Sequence, residues 1–105
     1  MKYKIVEMVT PYNYNVHLKK EIDNAPEYYQ EMKAKHPDAI ILYRKGDFYE
    51  AYCEDAQIVA DVVGIYVTTN TNRTYRKAGF PHHALDIYLP KLVRAGYRIA
   101  ICDEI

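Results

Sequence analysis

The sequence predicts an α/β domain, a mixed β-sheet flanked by about three helices. Two apolar runs, residues 39–44 and 97–102, have the length of buried strands and are too short for helices. Between them, residues 54–63 and 84–95 repeat apolar side chains at helical spacing. Strand-like and helix-like segments thus alternate along 105 residues. This order favours a sheet covered by helices over a helical bundle.

The chain is predicted to divide into an N-terminal arm at 1–25 and one domain at 26–105. Residues 2–9 mix alternation with β-branched side chains and indicate a short strand. Pro11 and the asparagines around it interrupt that pattern. The rest of the arm is polar and poorly patterned, so its order is left open.

A first helix is predicted to begin near Asn24. Asn can cap a helix, Pro26 is tolerated in a first turn, and Glu27 lies three residues after the cap. The helix should end at His36, because the residue before Pro37 avoids the helical conformation.

A pair of strands is predicted next. Residues 39–44 form a continuous apolar run that fits a strand buried on both faces. Residues 45–47, Lys-Gly-Asp, have turn chemistry, and residues 48–52 can extend again. The segment therefore resembles two strands joined by a short turn.

A second helix is predicted over 54–63, ended by Gly64. Residues 65–69 are β-branched and indicate a strand, and residues 70–77 are predicted to form a polar, basic loop or the tip of a hairpin.

The last part of the chain should contain a helix and a strand. Residues 78–83 are expected to form an irregular entry to a third helix over 84–95, with Gly96 ending it. Pro90 lies inside that helical pattern and should kink it or remove one backbone hydrogen bond. Residues 97–102 are expected to form a final buried strand.

The distribution of charge and the two cysteines give limited information about function. Basic and acidic residues balance at 14 each, yet residues 73–98 hold six basic residues and one acidic residue. This segment could meet phosphate, and a solvated face without a partner is equally consistent with the charge. The two cysteines form no CxxC pair, which favours reduced thiols and a cytoplasmic protein.

Enzyme signatures are incomplete in this sequence. Pro37-Asp38 begins a pattern seen in metal-dependent nucleases, but no later acidic residue has a lysine two positions on. His82-His83 lack further ligands at zinc spacing and are read as surface or capping residues. Neither a P-loop nor a dinucleotide-binding loop is present. We therefore predict no catalytic residues, no metal and no cofactor.

The segment Phe48-Tyr49-Glu50 has two interpretations. On a strand, Phe48 and Glu50 share one face and Tyr49 takes the other. Tyr49 could anchor the strand while Phe48 and Glu50 project toward a partner. Alternatively, Phe48 is buried and Glu50 lies at the solvent margin.

Residues 26–105 resemble the N-terminal mismatch-recognition domain of the MutS DNA mismatch repair proteins. The most specific matching blocks occur in family order: Gly-Asp-Phe-Tyr-Glu at 46–50, Ala-Gly-Phe-Pro at 78–81 and Gly-Tyr-Arg at 96–98. The family usually has an apolar residue where Lys45 stands and tyrosine where His82 stands. The connector, core, clamp and ATPase domains of a complete repair protein are not expected in 105 residues.

The resemblance implies a role for two residues. In the family, the phenylalanine matching Phe48 enters the minor groove and stacks on a mispaired or unpaired base, and the glutamate matching Glu50 hydrogen-bonds that base. Such a wedge senses how easily the duplex deforms. A carboxylate can accept from thymine N3–H and can bond a purine N7 only when protonated.

The sequence thus predicts a DNA-binding module whose partner is double-stranded DNA with mispaired or unpaired bases. Further MutS-type domains are possible additional partners. Arg73, Arg76 and Lys77 are candidate phosphate contacts. The alternative is a stand-alone domain of the same fold that serves as a protein-interaction or regulatory module.

Overall fold

The computed structural model describes residues 20–103 of the chain. Residues 20–24 are helical and lead into the first complete element. The helices are α1 (Glu27–Lys35), α2 (Cys53–Val63) and α3 (Leu85–Arg94), with a 3₁₀ turn at His82–Ala84 before α3. The strands are β1 (Ala39–Lys45), β2 (Phe48–Tyr52), β3 (Thr68–Thr69), β4 (Arg76–Pro81) and β5 (Arg98–Cys102).

Within the described residues the strands form one mixed sheet in the order β3-β4-β2-β1-β5. β1 and β5 are parallel, whereas β1–β2, β2–β4 and β3–β4 are antiparallel. The parallel pair requires a long crossover, and the segment carrying α2 and α3 supplies it. This architecture confirms the predicted mixed α/β fold.

The sheet has a helix layer on each face. We call the side covered by α1 face A, where Ile41 and Tyr52 pack against Tyr29 and Cys53. We call the opposite side face B. It is covered by α2 and α3, and its core consists of Ile40, Leu42, Tyr49, Ala51, Ala56, Val59, Ala60, Val63, Ala78, Phe80 and Leu92. Strand alternation then decides which side chains of β2 reach which layer.

A buried carboxylate joins three elements on face A. Asp55, in the first turn of α2, is only 2% exposed. It accepts hydrogen bonds from the Tyr29 hydroxyl at 3.0 Å and the Ile41 amide at 3.1 Å. The Lys33 ammonium lies 2.9 Å from it as an ion pair. A buried charge with all these partners fixes how α1, α2 and β1 pack together.

Several predicted elements agree with the structure. β1 is buried along its first four residues, and α2 ends at Gly64, which has a φ of 81°. α3 continues through Pro90, where the helix has one backbone donor fewer. The predicted strand at 2–9 lies outside the described residues. The division into an arm at 1–25 and a domain at 26–105 stays a prediction.

Four local predictions are wrong. The 65–69 strand shrinks to Thr68–Thr69. Asn24 does not cap α1, because it belongs to the helical residues before it and the N-cap of α1 is Pro26. Residues 78–83 are mostly strand: β4 pairs with β2 along five residues, so tertiary pairing overrides the Gly and Pro in its sequence. β5 pairs only with β1 in the described sheet and is therefore a half-buried edge strand.

Candidate nucleic-acid interface

A tight hairpin presents the Phe-Tyr-Glu segment. Gly46 and Asp47 are its two turn residues, and of these only Gly46 has a positive φ, 62°. This is the pattern of a type II′ turn, which matches the twist of the flanking strands. The His82 amide donates to the Asp47 carbonyl at 2.8 Å and ties the turn to the end of β4. The turn and the segment after it are therefore held at a fixed position.

Phe48 and Tyr49 point to opposite faces. Phe48 is 48% exposed on face A, whereas Tyr49 is 4% exposed and belongs to the face B core. The Tyr49 hydroxyl donates to Asp103 at 2.9 Å, and the Arg44 guanidinium lies 5.7 Å from the centre of its ring. Tyr49 therefore anchors the strand while half of the Phe48 surface stays open.

Glu50 lies on face A, one strand repeat from Phe48. The Tyr52 hydroxyl donates to Glu50 Oε1 at 2.6 Å, and the Tyr28 hydroxyl lies 2.8 Å from the Tyr52 hydroxyl. Glu50 is half-buried, so its carboxylate is reachable from solvent but is held from behind by tyrosines.

Cross-strand register assembles an open strip beside Phe48. Lys45 on β1 and Pro81 on β4 are its direct neighbours, and Gly79 is opposite Glu50. A Cβ added at Gly79 would lie 3.5 Å from Glu50 Cγ, so the glycine keeps the strip bare beside the carboxylate. We call these five residues the hairpin strip.

The strip includes a cation that sequence reasoning missed. Lys45 is exposed, and its ammonium lies 6.0 Å from the centre of the Tyr28 ring. The sequence interpretation placed Lys45 in the turn. A two-residue Gly-Asp turn is a strong hairpin signal, and it puts the residue before it directly opposite the residue after it. That signal could have placed Lys45 beside Phe48.

A cleft borders the hairpin strip. It has a volume of about 490 Å³ and is lined by Tyr28, Tyr43, Arg44, Lys45, Gly46 and Asp103. The rings of Tyr28 and Tyr43 pack at a tilt of 32° with their centres 4.1 Å apart. Aromatic rings and cations therefore continue the surface on one side of Phe48.

The three candidate phosphate contacts differ in environment. Arg73 is exposed in a loop organised by Asn70, whose side-chain oxygen accepts from the Thr74 and Tyr75 amides. Lys77 pairs with Tyr52 in the register and is therefore on face A with Glu50. Neither side chain forms an ion pair within residues 20–103.

Arg76 is already engaged inside the molecule. Its guanidinium bonds both oxygens of Glu21 at 2.8 Å and reaches Glu54 at 3.2 Å. The hydrogen bonds that Arg76 donates to the Glu21 carboxylate raise the pKa of Arg76 above its ordinary value. Two carboxylates compensate its charge, so Arg76 fastens the helical residues 20–24 to the sheet.

The basic segment is not one continuous surface. Lys91 and Arg94 belong to α3, on face B, and Arg98 pairs with Asp38. Within that segment Lys77 is on face A, Arg73 lies in the exposed loop before β4, and Lys45 outside the segment adds a cation beside Phe48. The sheet thus divides a charge cluster that looks continuous in the sequence.

Residues 20–103 contain neither a candidate metal site nor a candidate membrane span. No three His, Cys, Asp or Glu side chains are grouped so that they could hold a metal ion. No helix is long and apolar enough to cross a membrane.

Comparison with known proteins gives a consistent family. The model of MutS domain I matches residues 25–105. The DNA mismatch repair protein MutS of Parabacteroides distasonis is 61% identical over 80 residues, which is 73% of this chain. The MutS proteins of Bacteroides fragilis and Salinibacter ruber are 59% and 49% identical over 71% and 73% of it.

These relatives are much longer than the part matched here. In each of the three, the match covers 9% of the relative's length. The match nevertheless includes the hairpin, β4 and β5, which together build and support the hairpin strip. The chain belongs to the MutS domain I family.

Proposed function

We propose that this chain is a mismatch-recognition module of DNA mismatch repair, with Phe48 as the wedge and Glu50 as the base contact. The observation that carries the proposal is the exposure of Phe48 on a strand whose next residue, Tyr49, is buried. The family assignment and the names of the relatives support the same function. The match covers 9% of the length of those relatives. A part in the repair activity of a complete protein is therefore proposed for this chain.

The geometry supports insertion of Phe48 into a duplex. A wedge must project from the protein surface, and its backbone must stay in place when the side chain is pressed between bases. The hairpin, the Tyr49 anchor and the bond from His82 to Asp47 meet the second requirement. An apolar wedge unstacks a base step, and a mispaired step needs less energy to unstack. Phe48 would therefore select weakened steps by their deformability.

Glu50 supports discrimination by a different route. Because a strand repeats every two residues, Glu50 lies on the same face as Phe48, with their Cα atoms about 6.5–7 Å apart. A carboxylate there is repelled by phosphates and gains a hydrogen bond only where a base is displaced toward it. We expect Glu50→Ala to lower the preference for heteroduplex and to raise affinity for matched DNA slightly.

Lys45, Lys77 and Arg73 are the proposed phosphate contacts, and Arg76 has a smaller share because Glu21 and Glu54 compensate it. One domain with few such contacts should bind weakly, with a Kd of about 10⁻⁴ M at physiological salt. Lys45→Met keeps a long, unbranched side chain and removes the positive charge. This substitution should weaken binding to matched and mismatched duplexes alike and should reduce the slope of log K against log salt by roughly one unit.

A protein-interaction role is the second candidate, and exposed apolar side chains favour it. Ile87 and Val93 on α3 are 62% and 56% exposed, and Ile101 on β5 is 41% exposed. They belong to the face B side, away from Phe48. The two roles therefore use different surfaces and can be separated by mutation.

The deciding experiment titrates labelled duplexes with one unpaired base, one mispair, or no defect. The parent should bind the two defective duplexes more tightly than the matched one. Phe48→Ala should bring the three Kd values together. If the parent bound all three duplexes equally, mismatch recognition would be contradicted and the protein-interaction role would become the preferred function.

A further inference from the structure

Behind Glu50 lies a chain of hydroxyl groups with a defined direction. Tyr52 is 2.6 Å from Glu50 Oε1 and 2.8 Å from the Tyr28 hydroxyl. A tyrosine hydroxyl has one proton, and an ionised carboxylate only accepts. Tyr52 must therefore donate to Glu50, so Tyr28 must donate to Tyr52. Consecutive hydrogen bonds of this kind polarise and strengthen one another.

Packing, rather than Glu50, fixes the position of the Tyr52 hydroxyl. Its ring is 1% exposed and meets three other tyrosine rings edge-on, those of Tyr28, Tyr29 and Tyr75, at centre distances of 5.4–6.0 Å. Burial, reinforced by the hydrogen bond to Glu50, raises the pKa of Tyr52 above its ordinary value. Tyr52 thus stays a protonated donor at any pH used for DNA binding.

The arrangement occupies one side of the carboxylate and leaves the other open. Oε1 is satisfied from behind, while Oε2 makes no hydrogen bond within residues 20–103. Gly79, opposite Glu50, has no side chain to cover it. The side of Glu50 that faces Gly79 therefore belongs to the hairpin strip that carries Phe48, whereas Tyr43 flanks Glu50 on β1.

We propose that Tyr52, supported by Tyr28, is a positioning residue that holds Glu50 as a fixed acceptor for a base imino N–H. This deepens the proposed function and rests on it. Thymine N3–H and guanine N1–H offer such a donor, whereas purine N7 is an acceptor and offers none. A carboxylate already locked in one rotamer loses less conformational freedom on binding. The relay therefore favours an unpaired thymine or guanine at the wedge.

The test removes single oxygen atoms. Tyr52→Phe keeps the ring packing and deletes the donor to Glu50, and Tyr28→Phe deletes the next member of the relay. Tyr29→Phe is the matched control, because its buried hydroxyl bonds Asp55 and not the relay. Each variant is titrated with duplexes that contain one unpaired thymine, one unpaired adenine whose Watson–Crick edge lacks an imino proton, or no defect.

We expect Tyr52→Phe to lower the thymine-to-matched affinity ratio about fivefold, the effect of one misplaced hydrogen bond. The adenine-to-matched ratio should stay near that of the parent. Tyr28→Phe should lower the thymine ratio about twofold, and Tyr29→Phe should change only the melting temperature. Because Tyr28 is half-buried, its variant keeps the test valid even if Tyr52→Phe fails to fold.

A double-mutant cycle separates positioning from general destabilisation. In a Glu50→Ala background, Tyr52→Phe should lower the thymine ratio no further, because the group it positions is gone. An additive loss would overturn the positioning role. The positioning role would also be overturned if Tyr52→Phe and Tyr28→Phe both kept the parental thymine-to-matched affinity ratio while the parent prefers defective duplexes. A parent without any preference for defective duplexes would instead overturn the proposed function itself.

Discussion

Truncating Phe48 separates a projecting wedge from a core residue, and the chain supplies its own control. It contains two phenylalanines, Phe48 at 48% exposure and Phe80 at 2%. Full burial of a large apolar side chain contributes about 1.5–3 kcal/mol, so the buried half of Phe48 contributes about 1 kcal/mol. Solvent fills the space that Phe48→Ala leaves. Phe80→Ala leaves a cavity and should cost about 3–5 kcal/mol.

Thermal melting measures this difference directly. For a domain of this size, 1 kcal/mol corresponds to about 4–8 °C in Tm. Phe48→Ala should therefore melt about 4–8 °C below the parent, and Phe80→Ala several times further below or not fold. Tyr49→Ala should resemble Phe80→Ala, because Tyr49 is buried on face B.

DNA titration of the same proteins completes the test. Phe48→Ala should bring the Kd ratio of matched to defective duplex to about one. Phe80→Leu, which keeps an apolar side chain in the face B core, should keep the parental ratio even if it lowers the melting temperature. If Phe48→Ala destabilised the fold as much as Phe80→Ala, or kept the parental ratio, the wedge assignment would be refuted.

Three further predictions follow from charges and buried groups. Arg73→Ala and Lys77→Ala should each reduce the slope of log K against log salt by roughly one unit; unchanged slopes in DNA titrations at several salt concentrations would assign both to solvent. Asp55→Asn should lower the free energy of unfolding by about 3 kcal/mol, because it removes the buried carboxylate from the partly buried Lys33 ammonium. In denaturant melts the exposed control Asp61→Asn should stay within about 0.5 kcal/mol of the parent. Burial raises the pKa of the Cys53 thiol from 9.0 to about 12, so between these values the unfolded chain has released a proton that the folded chain keeps. Stability should fall there as pH rises, and Cys53→Ala should flatten the decline by about 1.4 kcal/mol per pH unit; parallel pH profiles of both proteins would contradict the assignment.

The sequence by itself determined the α/β class and the main elements around the hairpin. Continuous apolar runs, helical periodicity and Gly64 are local signals, and their lengths identify strand or helix without knowledge of the neighbours. Alternation also placed Tyr49 opposite Phe48 and Glu50, because a strand repeats every two residues. The family resemblance came from short blocks of sequence and needed no coordinates.

Only the tertiary structure decided which side of that alternation is open. Face A is covered by α1 near Tyr52 but not near Phe48, and no local pattern encodes where a helix stops covering a sheet. Residues 78–83 form strand β4 because β2 offers a partner for their backbone groups. Register then sets Gly79 opposite Glu50 and Lys45 opposite Phe48.

Charges and hydroxyl groups depended most on the fold. Arg73, Arg76 and Lys77 look equivalent in sequence, yet Arg76 is compensated by Glu21, which is 55 residues away in the chain. Tyr28 and Tyr52 are 24 residues apart and meet only because α1 packs on face A. Interactions between residues so distant in sequence are created by packing, which is why the sequence could name Glu50 but not the hydroxyl groups that hold it.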